Sequence, residues 1–225
     1  EMSASLVGSE MCIRDRLCSF HERNIIMITI IDYGAGNLFS VQNALNFLGV
    51  ENNISSKVED IISADKLILP GVGAFPDAMK MLDEAGLTEV IKEQAKKKPL
   101  MGICLGMQML FDKSYEFGET EGLGLIPGTV ELMHPANDLV IPHIGWNSLE
   151  KNEPCKLLKS VNDGDYVYFV HSYAAVTDSK NVAAYCDYGM KVPALVMSGN
   201  VYGCQFHPEK SGKTGLGILK TFASL

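Results

Sequence analysis

Cys104 stands in GICLGMQML, Gly102 to Leu110, with a glycine two residues away on either side. An apolar run, Leu100 to Ile103, leads into the cysteine, and a helical pattern, Leu105 to Asp112, leads away from it. On such a strand-to-helix turn a thiol is held out at a sheet edge, and a side chain in place of Gly102 or Gly106 would obstruct the reversal. A helix that starts next to a sulfur aims free N–H groups at it, which favours thiolate over thiol. The chemistry on offer is nucleophilic attack on a carbonyl. G-x-C-x-G by itself also describes a buried cysteine packed among small residues, so the rest of the chain has to decide.

Near the other end, VYGCQFHPEKSG runs from Val201 to Gly212, an apolar strand leading into His207-Pro208-Glu209. Strand side chains alternate, so His207 and Glu209 are expected on one face. A carboxylate can then hold an imidazole in one tautomer while its other nitrogen faces a nucleophile. Pro208 has no N–H to give and marks the end of sheet pairing. A further segment, LILPGVGAFPDA from Leu67 to Ala78, reads as a strand, a glycine-rich loop and a helix start. Backbone N–H groups in such a loop can point at a developing oxyanion. The glycines at 71 and 73 would let the intervening peptide rotate, so the donor could be withheld until it is needed. His-x-Glu alone is commonly a surface pair, and a glycine-rich turn alone is commonly only a turn.

The elements that must position these groups follow from periodicity. MITIID, DKLILP and PLMGI read as buried strands; Asn37 to Leu48, Asp77 to Ala85 and Thr88 to Lys97 read as helices. After Gly122 the pattern turns to short strands: YVYFVHSYAAV, NVAAYCDY, and a hairpin ALVMSGNVYGCQFH with its turn at Ser198-Gly199-Asn200. A last helix is expected from about Lys213 to Ala223. Alternating strands and helices followed by antiparallel elements predict an α/β fold, a mixed sheet with helices on both faces.

With these motifs assembled, the chain resembles the class I (triad) glutamine amidotransferases over about Met27 to Leu225. PGVG (Pro70 to Gly73), GICLGMQ (Gly102 to Gln108) and FHPEKSG (Phe206 to Gly212) carry the family resemblance. IDYGAGNLFSV (Ile31 to Val41), PHIGWN (Pro142 to Asn147) and YFVHSYAA (Tyr168 to Ala175) narrow it to the glutaminase subunits of imidazole glycerol phosphate synthase. The resemblance implies a three-layer αβα, flavodoxin-like fold with a mixed, mostly parallel sheet, and a Cys104, His207, Glu209 triad that hydrolyses the side-chain amide of glutamine. It assigns the oxyanion donors to the N–H groups of Val72 and Leu105, and glutamine contacts to Gly73, Gln108, Glu116, His171, Ser172 and Tyr173. By sequence alone His171 would be read as a core histidine and Tyr173 as packing. The implied partner is a (β/α)8 barrel cyclase subunit that receives ammonia directly and yields imidazole glycerol phosphate and AICAR. Ala35, Asn37, Trp146, Asn147, Tyr168 and Lys210 match positions at or near that interface, although the lone tryptophan would also suit a core.

Length and composition agree with this reading: 225 residues, 47% hydrophobic, suit one domain with a substantial core. A net charge of −8 and the absence of a basic cluster argue against nucleic acid as partner. No run of 18 apolar residues suggests a membrane span. The six cysteines, at 12, 18, 104, 155, 186 and 204, have no metal-ligand spacing and suit a reducing cytoplasm, and no metal or cofactor is expected. Cys204 is expected in the core. Residues 1–26 lack the core pattern, and MCIRDR resembles translated adapter sequence, so a non-native or disordered leader ahead of a 27–225 domain is expected, with no role for Cys12 or His21. Two rivals remain weaker. An α/β-hydrolase such as a dienelactone hydrolase shares G-x-C-x-G, but its acid precedes the histidine by many residues. A catalytically silent binding module of the same fold would not need Cys104, His207 and Glu209 together. Gly34-Ala35-Gly36-Asn37 lacks the third glycine of a dinucleotide-binding loop.

Overall fold

A computed structural model describes residues 26–136 and 139–225. The leader reading therefore falls outside the described residues, apart from Ile26. The elements in chain order are β1 (Ile28–Ile31), α1 (Leu38–Phe47), β2 (Asn52–Ser55), α2 (Val58–Ser63), β3 (Lys66–Gly71), α3 (Phe75–Glu84), α4 (Thr88–Ala95), β4 (Leu100–Cys104) and α5 (Leu105–Gln108). There follow β5 (Phe111–Ser114), β6 (Thr120–Glu121), β7 (Ile126–Leu132), β8 (His143–Ser148), β9 (Glu150–Lys151), β10 (Tyr166–His171), β11 (Tyr173–Val176), β12 (Val182–Asp187), β13 (Lys191–Ser198), β14 (Val201–Cys204) and α6 (Gly212–Ala223).

The central eight-stranded sheet has the order β2-β1-β3-β4-β14-β13-β12-β9. Strands β2, β1, β3, β4 and β14 are parallel, and β13, β12 and β9 extend the sheet antiparallel. Every residue of β1, β3 and β4 is buried, as expected of parallel strands covered on both faces. Alternate residues serve opposite layers. Ile28, Ile30, Ile68 and Met101 pack with Val41 and Leu45 of α1 and with Ile218, Leu219 and Phe222 of α6. Ile31, Leu67, Leu69 and Leu100 pack with Phe75, Ala78 and Leu82 of α3 and Ile91 of α4. The three-layer αβα arrangement is the one expected.

The remaining strands depart from a single mixed sheet. They form a four-stranded sheet, β11-β7-β5-β6, and a separate ribbon, β10-β8, near the carboxyl ends of the parallel strands. YVYFVHSYAAV is accordingly two strands: His171 pairs with His143, while Tyr173 pairs with Leu132, and Ser172 is the crossing point. The helix after Cys104 stops at Gln108, four residues earlier than Asp112. There the carbonyls of Met109 and Leu110 turn to the N–H groups of Leu123, Leu125 and Ile126, and Phe111 enters β5. The hairpin β13–β14 keeps its expected turn, with Ser198 opposite Val201 and Gly199 at φ 58°.

Position 106 admits glycine alone, because a Cβ there would lie 1.9 Å from the Leu69 carbonyl oxygen. The nearest atoms, of Leu69 and Pro70, are all backbone, so none can give way cheaply. Gly106→Ala should therefore lower stability by about 3 kcal/mol, at or above the usual range for overpacking, as read from urea denaturation midpoints. An unchanged midpoint would contradict the close approach of α5 to β3.

Candidate active site

Cys104 ends β4 with φ 55° and ψ −114°, a left-handed conformation that a non-glycine residue adopts at a cost of about 1–3 kcal/mol. Leu105 opens α5 immediately afterwards, so its N–H has no helical acceptor. The Cys104 thiol points to the Val170 carbonyl at 3.8 Å. It lies in a cleft of about 420 Å³ together with Val72, Gly73, Leu105, Gln108, Glu116, His171, Ser172, Tyr173, His207 and Lys210.

His207 and Glu209 do share a face, but not through strand alternation. β14 stops at Cys204, and Pro208–Lys210 form one turn of 3-10 helix. The turn is fixed by β10 and α6: His207 N–H donates to the Tyr168 carbonyl (3.0 Å), Tyr168 N–H to Ser211 Oγ (3.0 Å), and Ser211 Oγ–H to the His207 carbonyl (2.6 Å). His207 Nδ1–H then donates to Glu209 Oε1 at 2.8 Å, with the two side chains 4% and 0% exposed. Burial alone would push the His207 pKa down. Hydrogen bonding and negative charge from Cys104 and Glu209 outweigh it and raise the imidazole to about 9. The imidazolium is thus the favoured form at neutral pH, a buried proton donor at the edge of the cleft.

Around this core the other expected residues fall into distinct places. Val72 is exposed and Gly73 sits at φ 93° with open space where a Cβ would be. Gly71, by contrast, is paired in β3 opposite Cys104 and a Cβ on it would meet the Gly106 nitrogen at 2.6 Å, so the freedom of the PGVG loop resides at Gly73. Glu116 Oε2 accepts from Phe75 N–H at 2.7 Å, capping α3 from a distant loop and anchoring the far side of PGVG. Gln108 is buried, its Nε2 donating to the Tyr173 carbonyl (3.0 Å) and to Gln205 Oε1 (3.0 Å). Trp146 and Tyr168 are cross-strand partners on the outer face of the β8–β10 ribbon, their rings 6.0 Å apart and edge to face. Asn147 points the other way, donating to the Asp187 carbonyl at 2.7 Å. Ala35 and Asn37, half-buried between β1 and α1, do not line the cleft. Cys204 is fully buried, as expected.

Sequence reasoning missed three contributors. Pro142 and Val170 line the cleft, and their apolar character carries no signal of it. Tyr33 is buried and donates to the Pro70 carbonyl at 3.0 Å, tying down the strand end from which PGVG departs. Burial, and then the proximity of Cys104, push its pKa well up, so it remains a neutral donor. Among the described residues no group of His, Cys, Asp and Glu is arranged to hold a metal, and no helix is long and apolar enough to cross a membrane.

A cysteine at a strained elbow, an imidazolium beside it and a carboxylate behind that imidazole are the parts of an acyl-transfer site. The family description "Glutamine amidotransferase class-I" matches residues 29–224. The chain belongs to the class I glutamine amidotransferases. Among the relatives of this amidotransferase, imidazole glycerol phosphate synthase subunit HisH of Caldanaerobacter subterraneus subsp. tengcongensis is 51% identical over 201 residues, 88% of this chain and 98% of that one. The subunit of the same name from Listeria monocytogenes serotype 4a is 50% identical over 197 residues, 87% of this chain and 94% of that one. Solved structures share the fold at lower identity. One described as a glutamine amidotransferase superposes with a TM-score of 0.68 at 21% identity, covering 88% of this chain and 99% of the other. PurLQS from Thermotoga maritima gives 0.67 at 21% identity, with 88% and 97% covered.

The elevated His207 pKa sets a pH signature for this amidotransferase. Its folded value of about 9 lies above the ordinary 6.5, so the imidazolium contributes stability that is complete below 6.5 and is lost as pH rises through 9. Turnover that needs this proton for the leaving nitrogen should hold to about pH 9 and then fall. Glu209→Gln, which removes one source of the elevation, should move the fall to lower pH. Profiles of kcat/KM for glutamine in the two proteins check this, and coincident alkaline limbs would contradict it.

Proposed function

We infer that this chain is the glutaminase subunit of an imidazole glycerol phosphate synthase. It hydrolyses glutamine to glutamate and ammonia and delivers the ammonia to a cyclase subunit in histidine biosynthesis. The observation that carries the chemistry is the convergence of Cys104 and His207 in one cleft at the carboxyl end of β4, with Glu209 hydrogen-bonded to the far side of the His207 imidazole. The 51% identity to a HisH subunit, over nearly the whole of both chains, supports the choice of acceptor.

In this reading the Cys104 sulfur attacks the side-chain carbonyl carbon of glutamine, and the carbonyl oxygen becomes an oxyanion facing the N–H groups of Val72 and Leu105. His207 gives its proton to the amide nitrogen, the C–N bond breaks, and ammonia leaves a glutamyl thioester. Water then attacks the thioester carbon and passes a proton to His207, and the C–S bond breaks to release glutamate and restore the thiolate. Gly73, Gln108, Glu116, His171, Ser172 and Tyr173 form the wall against which glutamine is held.

Ammonia freed into neutral water would become ammonium and lose its nucleophilicity, so the acceptor site has to be joined to this one. The partner is a (β/α)8 barrel cyclase that joins the nitrogen to phosphoribulosyl-formimino-AICAR phosphate. The face of this chain that docks the cyclase includes the outer side of the β8–β10 ribbon, where Ile144, Trp146 and Tyr166 are all more than half exposed. Contiguous exposed apolar side chains of this kind mark interaction surfaces. Ala35, Asn37 and Lys210 complete the partner side, Asn147 supports the ribbon from its inner face, and the pair acts in the cytoplasm. The open space at Gly73 allows the Val72 peptide to turn its N–H toward or away from the cleft, so partner binding can gate the oxyanion hole. One such donor contributes about 2.7–4 kcal/mol to transition-state stabilisation.

Cys104→Ala in the assembled synthase should abolish glutamine-dependent formation of imidazole glycerol phosphate and leave the reaction with added ammonium salts intact. Assays with both nitrogen sources on a complex verified by gel filtration test this. Loss of the ammonia-dependent reaction would contradict the division of labour.

A further inference from the structure

We propose that His143 is a positioning residue for the glutamine pocket, acting through His171 to hold the Tyr173 carbonyl and the Gln108 amide in the pocket wall. The inference deepens the glutaminase reading and rests on it.

The two histidines face each other across the β8–β10 ribbon, directly paired in register, and both side chains turn inward. His171 Nδ1 lies 2.9 Å from the Tyr173 carbonyl oxygen. A carbonyl can only accept, so this nitrogen carries a hydrogen and donates. Neutral His171 then has its lone pair on Nε2, which lies 3.0 Å from His143 Nδ1. His143 Nδ1 must therefore be the protonated nitrogen and donate. The remaining lone pair, on His143 Nε2, faces the Asn147 amide nitrogen at a long 3.5 Å. That amide is not free to flip: Nδ2–H donates to the Asp187 carbonyl at 2.7 Å and Oδ1 accepts Ser148 N–H at 2.8 Å. Each proton position follows from the one before it.

The far end of this relay is the pocket. The Tyr173 carbonyl receives both His171 Nδ1–H and Gln108 Nε2–H, and His171, Ser172, Tyr173 and Gln108 all line the cleft that holds Cys104. The near end is clamped by aromatic packing. The His143 ring is stacked between Tyr188, with centroids 3.9 Å apart, and Phe169, at 4.8 Å, each at 22°. It can neither rotate nor retreat. Burial pushes both histidines down to about 4, so the neutral tautomers that the relay requires are the ones present at neutral pH. Without the His143 donor, His171 Nε2 is left as a buried, unpaired acceptor. The His171 ring can then exchange tautomers and release the Tyr173 carbonyl.

The test has a direct arm and a kinetic arm. Long-range ¹H–¹⁵N NMR of the wild-type chain should show both His143 and His171 neutral and protonated at Nδ1; an Nε2-protonated form of either overturns the proposal without any variant having to fold. In the complex with the cyclase subunit, His143→Phe keeps a stacking ring and loses the donor, and His143→Asn keeps an N–H near the Nδ1 position. The Phe variant should raise KM for glutamine about tenfold, the scale of one buried hydrogen bond left unmade, with kcat within about threefold. The Asn variant should keep KM within about threefold of wild type. A wild-type KM in the Phe variant, or an equal rise in both variants, overturns the positioning role. A wild-type complex with no glutamine turnover would instead overturn the glutaminase reading beneath it.

Discussion

The approach of α5 to β3, so close that the Gly106 backbone rests on the Leu69 carbonyl, is the constraint on which the rest of the site depends. It sets the path of the chain out of β4 and forces Cys104 into a left-handed conformation. The same contact brings the start of α5 alongside the end of β3, where Gly71 lies opposite Cys104 in register. The Cys104 sulfur, the start of α5 and the PGVG loop thereby converge on one point. The strain at Cys104 persists because its surroundings over-determine it: Leu105, Met107 and Met109 are buried on one side and the sheet closes the other.

The His207–Glu209 pair is supported from outside the central sheet. The His207 turn hangs on the backbone of Tyr168, whose carbonyl and N–H reach His207 and Ser211. Tyr168 belongs to the β8–β10 ribbon, which presents Trp146 and Ile144 to the exterior on one face and His143 and His171 to the interior on the other. A single two-stranded ribbon thus joins the apolar outer surface, the His207 turn and the wall of the cleft. Any partner that seats on the outer face touches the strands that hold the His207 imidazole in place.

Much of this is legible in the sequence, and the physical reason differs from residue to residue. ITII, KLILPG and LMGIC stand out because strands covered on both faces must be apolar throughout. Cys104 stands out because close backbone approach leaves glycine as its neighbour at 106. His207 and Glu209 are correctly paired for a different reason than alternation suggests, since a Pro-initiated turn also brings residues two apart to one side. The helix after Cys104 is overestimated because Met109 and Leu110 suit a helix face as well as they suit the start of β5. The break at Ser172 is hidden, since nothing local tells an apolar strand to leave one partner and join another. The contact of His143 with His171 escapes notice for the same reason: it depends on register with a strand more than twenty residues away.

The proposed reaction depends on the Cys104 sulfur, held at this elbow beside His207, as the atom that attacks glutamine. 6-Diazo-5-oxo-L-norleucine, a diazoketone of glutamine's shape, alkylates a thiolate that occupies the position of attack. The assembled synthase should be treated with it in the presence of the cyclase substrate, digested, and mapped by mass spectrometry. A single adduct is expected on the peptide that carries Cys104, suppressed by excess glutamine. Label on Cys155, Cys186 or Cys204 with Cys104 left free would contradict it.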